Sequence, residues 1–331
     1  MSFCFLRPGR WAARASAWAV VGAALAGLAS CGGGLVEPFV PTRVIALGDE
    51  LSVIEADGRK HSINAFKITD ATTSPPTEST TELDCTRNPI WIQVVAADSR
   101  LAFDRCLGSA TVASGQVLAQ PGHKVADLTA QLAAVTGAPL GEQDLVLVLV
   151  GMHDILELYD IYSNDPTTPR ETLLDQARTR ATDLGNRINA LATSGPAVVV
   201  LTVPDLGLTP FARTENTNTG DSTRSALLTE LTSTFNNRMS VTLINDGRLI
   251  GLVFADIETQ NNVRVPSAYG LTNVVDAACS AGNLPPACTT ATLATGATAA
   301  GYMWADSLRL GPTIQARLGA LASFRARNNP F

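Results

Sequence analysis

Val44-Ile45-Ala46-Leu47-Gly48-Asp49-Glu50-Leu51-Ser52 begins as an apolar, partly β-branched run and breaks at a glycine into a cluster of polar side chains. A strand covered on both faces reads this way, because neither of its sides has to meet water. The polar cluster then falls at the strand's carboxyl end, where open α/β sheets place their sites. The pattern recurs along the chain. Residues 145–150 are apolar at every position and run into Gly151-Met152-His153-Asp154, and residues 197–202 open into Val203-Pro204-Asp205-Leu206-Gly207-Leu208-Thr209-Pro210. Residues 116–119 make a shorter candidate strand that ends in Gln120-Pro121-Gly122-His123, and residues 252–256 read as the last strand. Helical spacing of apolar residues marks 90–97, 125–132, 171–192, about 223–245 and 312–327. The stretch 70–84, rich in Thr, Ser and Pro, is expected to be a surface loop. Five strands alternating with helices predict an α/β fold with a doubly wound, flavodoxin-like parallel sheet. An eight-stranded α/β barrel would need about eight such units.

The first 30 residues carry Arg7, Arg10 and Arg14 and no acid, followed by a short apolar stretch over 18–29. A positive start with so short an apolar middle predicts an export signal rather than a membrane span. Leu28-Ala29-Ser30-Cys31-Gly32 resembles the bacterial lipobox, which implies that Cys31 is lipid-modified and becomes the first residue; an ordinary cleaved signal is the alternative. Gly32-Gly33-Gly34 and the Pro-containing residues 35–42 then form a tether, leaving 43–331 as one domain. By resemblance to bacterial sorting rules, the lack of an aspartate after Cys31 implies the outer membrane. Loss of the three arginines takes the net charge from −6 to −9, and so acidic a body argues against nucleic acid or anionic lipid as the partner. Four cysteines remain after export besides Cys31. Proximity pairs Cys85 with Cys106 and Cys279 with Cys288 as disulfides, whereas a metal site lacks a CxxC pair or a neighbouring histidine. Neither metal nor cofactor is expected.

Four of the turns, in order, resemble the signature blocks of the SGNH (GDSL) ester hydrolases, particularly their esterase and phospholipase branch. Gly48-Asp49-Glu50-Leu51-Ser52 is similar to Gly-Asp-Ser-Leu-Ser, with Glu50 at the nucleophile's position. Gly122 falls where the second block's glycine offers a backbone N–H to the oxyanion. Gly151-Met152-His153-Asp154 resembles Gly-x-Asn-Asp, with His153 in place of the oxyanion-hole asparagine. Trp304-Ala305-Asp306-Ser307-Leu308-Arg309 resembles the Asp-x-x-His block, keeping Asp306 and putting Arg309 where the catalytic histidine belongs. The stretches 203–210, Phe235-Asn236-Asn237 and 266–274 are similar to that branch's connecting segments.

The resemblance implies ester hydrolysis, which needs a hydroxyl nucleophile, a base and oxyanion donors. A carboxylate and a permanently charged guanidinium supply neither half of that dyad. The three histidines, His61, His123 and His153, all lie outside the last block. Family geometry implies that Glu50 and Arg309 meet as an ion pair at roughly 2.7–3.0 Å, a bidentate form being open, with Glu50 starting a helix and accepting from Gly122 and His153. His153 reads as a hydrogen-bonded filler of the asparagine's space, and Asp49, Asp154 and Asp306 as caps of helices or turns. Three functions compete. The first is a lipid-anchored, inactive relative that meets a small acyl or cell-envelope ligand. The second is an esterase using Ser52 with His153 as base, and the third a carboxylate-based hydrolase built on Glu50.

Overall fold

The computed structural model describes residues 39–328. The expected export signal, Cys31 and most of the tether lie outside the described residues. Within them the strands are β1 (Arg43–Gly48), β2 (Phe66–Asp70), β3 (Thr77–Leu83), β4 (Gly115–Val117), β5 (Asp144–Leu149), β6 (Ala197–Leu201), β7 (Ile250–Val253), β8 (Asn273–Ala277) and β9 (Tyr302–Trp304). The α-helices are α1 (Trp91–Asp98), α2 (Leu128–Ala133), α3 (Met152–Asn164), α4 (Arg170–Thr193), α5 (Pro210–Thr219), α6 (Thr223–Thr242), α7 (Ala255–Arg264) and α8 (Pro312–Asn328).

Five strands form one parallel sheet in the order β4-β1-β5-β6-β7. Renumbered within the sheet this is 2-1-3-4-5, compatible with a flavodoxin-like α/β fold. The alternation of a strand divides its side chains between two cores. Val44, Ala46, Leu145, Leu147, Val199 and Leu201 face one core, which α1 and α8 cover with Trp91, Val95, Ile314 and Leu318. Ile45, Leu47, Val146, Val148, Val198 and Val200 face the other, covered from α3, α4 and α6 by Ile155, Leu184, Ile188, Leu228 and Phe235. Both faces are dry, which is why these strands read as unbroken apolar runs.

Some expectations need correcting. Residues 70–84 are not a structureless loop: β2 and β3 pair antiparallel around a short connection. The Thr-rich run 77–83 has the β-branched content of a strand, and its exposure hides the signal, since no apolar face is needed. The last strand of the main sheet runs Ile250–Val253 rather than 252–256, because Ala255 already begins α7. Helices α3, α5 and α7 have no counterpart among the expected helices. Helix α5 carries clear ends nonetheless: Thr209 accepts from the Ala212 N–H, Pro210 opens the helix, and left-handed Gly220 closes it. Both expected disulfides are present, Cys85–Cys106 and Cys279–Cys288. Among the described residues no helix is long and apolar enough to cross a membrane.

The close approach of β1 to β5 hangs on Gly48. Its φ is +125°, and a Cβ there would lie 1.8 Å from the Leu149 carbonyl oxygen. Both effects act against any side chain. Gly48→Ala is therefore expected to cost at least about 3 kcal/mol of stability, read as loss of a cooperative urea transition or a large fall in its midpoint.

Candidate functional site

The turns after β1, β4 and β5 converge at the carboxyl edge of the sheet. Strand order reverses between β1 and β5, the usual crevice of an open α/β sheet. The backbone of the first turn is fixed before any site chemistry is added. Gln131 on α2 accepts from the Gly48 N–H and donates to the Gly48 carbonyl, both at 2.8 Å, and its amide nitrogen also lies 2.8 Å from His123 Nδ1. Asp49 donates its N–H to the Leu149 carbonyl at 3.1 Å, and its carboxylate accepts from the Leu51 N–H. The chain then makes a three-residue 3-10 turn, Glu50–Ser52, and leaves extended at Val53. A full helix had been expected there. A single turn is all that forms.

Glu50 is 2% exposed and its carboxylate is held by donors from three separate segments. Oε2 accepts from the Gly122 N–H at 3.1 Å and lies 2.7 Å from His153 Nε2. Oε1 accepts from Arg309 Nη2 at 3.3 Å. The Arg309 contact is thus single and longer than the expected 2.7–3.0 Å, with no bidentate fork. The guanidinium is shared: its Nη1 lies 2.5 Å from Asp306 Oδ2, the shorter of the two contacts. Asp306 also accepts from the backbone N–H groups of Leu308 and Arg309, so the loop itself fixes where the arginine starts.

Electrostatics follow from this arrangement. Burial pushes the Glu50 carboxyl up, but hydrogen bonding and charge from His153, with the Gly122 N–H, outweigh it and bring the pKa down to about 2. Burial pulls His153 down, while its hydrogen bond and attraction to Glu50 and the nearby Asp49 win and raise it. Asp49 is pushed well above the usual carboxylate range, first by complete burial and then by the neighbouring Glu50 charge. One of its oxygens has no hydrogen-bond partner. Asp154 is raised by burial and accepts from the Val125 N–H, which ties the start of α3 to the Gly122 turn.

No family model matches this chain, and no curated protein does.

Glu50, Gly122, His153, Asp306 and Arg309 are thus brought together, and Asp49, Asp154 and Asp306 satisfy turn or strand-end amides. Ser52 is set apart from them. Its side chain is fully buried, and its hydroxyl accepts from the Trp91 indole N–H at 3.1 Å. Gln131 escaped the sequence reading because a glutamine on an amphipathic helix looks solvated. Among the described residues no group of three His, Cys, Asp or Glu side chains is arranged to hold a metal ion.

Two pH-dependent outcomes follow. His153 has a raised folded pKa, so its stabilising contribution is complete below the unfolded value of 6.5 and is lost as pH rises through the folded value. The Tm deficit of His153→Gln is expected to shrink between about pH 6 and pH 9 in calorimetry. For Asp49 the unfolded carboxyl ionises near 3.8 while the folded one resists, so the folded state is penalised above that pH. Asp49→Asn is expected to raise Tm at about pH 7 and to leave it nearly unchanged at about pH 3.

Proposed function

We propose that this protein is an SGNH-type hydrolase relative, held at the bacterial outer membrane by a lipid on Cys31, whose site no longer cleaves esters and whose role is to bind a small acyl or cell-envelope ligand. The order of the four motif-bearing turns along the chain supports the kinship. One observation carries the loss of chemistry: the side chain at the nucleophile's position is a carboxylate, already engaged by the Gly122 N–H, His153 and Arg309. An acyl group entering such a site would meet an ionised carboxylate instead of an alcohol, and the donors suited to its oxyanion are in use. Arg309 cannot accept a proton at any relevant pH.

Neither rival reading draws support from the geometry. A Ser52 and His153 esterase needs the two in contact, yet Ser52 bonds Trp91 and His153 bonds Glu50. A hydrolase built on Glu50 as acid needs a proton that a carboxyl with a pKa of about 2 does not keep near neutral pH. Membrane attachment and location rest on residues 1–31 of the sequence, outside the described residues.

The test is turnover of short-chain nitrophenyl esters and labelling by a fluorophosphonate, measured on wild type, Ser52→Ala and the double variant Glu50→Ser/Arg309→His. Wild type and Ser52→Ala are expected to match the blank. The double variant, with an alcohol, an imidazole and Asp306 in sequence, is expected to gain at least about tenfold over it. Ester turnover by wild type that Ser52→Ala abolishes overturns the reading.

A further inference from the structure

We infer that the Gly122 N–H, His153 Nε2 and Arg309 Nη2 form a receptor for a small monocarboxylate, which the protein fills in cis with the Glu50 side chain. The inference rests on the reading of a filled site and names the class of group that its donors are built to hold. Three donors on three different loops converge on one planar group, two addressing Oε2 and one addressing Oε1. Such a division between two oxygens suits a carboxylate, whose charge is spread over both. Chloride offers one centre in place of two separated acceptors. A tetrahedral phosphate needs room for further oxygens where Asp306 already occupies the other arm of Arg309.

The segments that carry the donors have anchors of their own besides Glu50. Arg309 is fixed by Asp306 and by the loop's own hydrogen bonds, including the Ala305 N–H to the Arg309 carbonyl at 2.8 Å. His153 is carried on the first turn of α3, which Gly151 and Asp154 set in place. Gly122 lies in a turn closed by the His123 N–H to the Gln120 carbonyl. Access is also present: Gly122 is exposed, and the His153 and Arg309 side chains are 24% and 22% exposed, above a Glu50 that is 2% exposed. Truncating Glu50 therefore removes the occupant and leaves the walls.

The size of the missing group fixes the size of the ligand. Glu50→Ala deletes a methylene and a carboxylate, the heavy atoms of acetate. Glu50→Gly deletes one carbon more, matching propionate. In wild type the receptor is closed to free carboxylates, so a ligand of the native protein has to lie outside these three donors.

Thermal unfolding of wild type, Glu50→Gln, Glu50→Ala and Glu50→Gly, titrated with sodium formate, acetate, propionate, phosphate and chloride at matched ionic strength, tests this. Glu50→Ala is expected to show a saturable rise in Tm of about 3 °C or more with acetate, and Glu50→Gly a larger rise with propionate than with acetate. Wild type and Glu50→Gln, whose sites stay filled, are expected to show none. Equal responses to chloride, or a saturable acetate response in wild type, overturn the receptor. If neither truncated variant folds in plain buffer, refolding yield with and without acetate decides: a yield that acetate leaves unchanged overturns it as well. Ester inertness of wild type with no carboxylate binding by the truncated variants sinks the receptor alone, whereas ester turnover by wild type sinks the silent-site reading.

Discussion

A carboxylate withdrawn from water is tolerable only where the protein replaces the hydration it has lost, and the burial of Glu50 imposes that condition on three loops at once. An unpaired buried carboxylate would cost several kcal/mol or take up a proton. Here the donors win, and the pKa falls to about 2 instead of rising. The contacts join residues 72, 103 and 259 positions apart in sequence. One side chain thereby ties together the turn after β4, the start of α3 and the loop before α8. The nearest of the three is His153, and the guanidinium leans toward Asp306, so Glu50 and Arg309 are partners within a four-member network rather than an isolated pair.

That network can exist because the backbone beneath it is settled independently. Gln131 caps both polar groups of Gly48, and Asn236 does the same for Val203 at the end of β6, accepting at 2.9 Å and donating at 2.8 Å. Strand ends that emerge from a dry core carry N–H and C=O groups with no further ladder partner, and a side-chain amide offers one donor and one acceptor at the right spacing. Asp49 shows the other side of the same constraint. It is buried next to an ionised Glu50 with one oxygen unpartnered, and two adjacent carboxylates in so little water resist sharing the ionised state.

How much of this was legible in the sequence follows from which residues had to meet water. Strands β1, β5 and β6 announce themselves because both faces are covered and no polar residue interrupts them. The hairpin of β2 and β3 has no covered face, so its threonines look like loop. Helix α3 is obscured because its first turn is the polar site cluster itself, while α5 has no long apolar stripe and is announced only by Thr209 and Pro210 at its start. The five site residues could be named from motif positions, since each follows a strand. Their ranking could not. Whether Arg309 favours Glu50 or Asp306 depends on angles within the 305–310 loop, and Ser52 turns toward Trp91 because the 3-10 turn ends after three residues.

The cation at position 309 has a physical reason that does not depend on ancestry. Glu50 and Asp306 place two carboxylates on either side of it, and the other charged partner in contact with Glu50 is an imidazole, which unlike a guanidinium can lose its proton. A second imidazole at 309 would leave the two carboxylates facing only titratable partners, so that deprotonation of both would strip the counter-charge from a buried anion. A guanidinium keeps its charge throughout and reaches both acids through separate nitrogens. Once a carboxylate stands at position 50, then, electrostatics alone favours arginine over histidine at 309, and the charges at the two positions are best understood as one coupled arrangement.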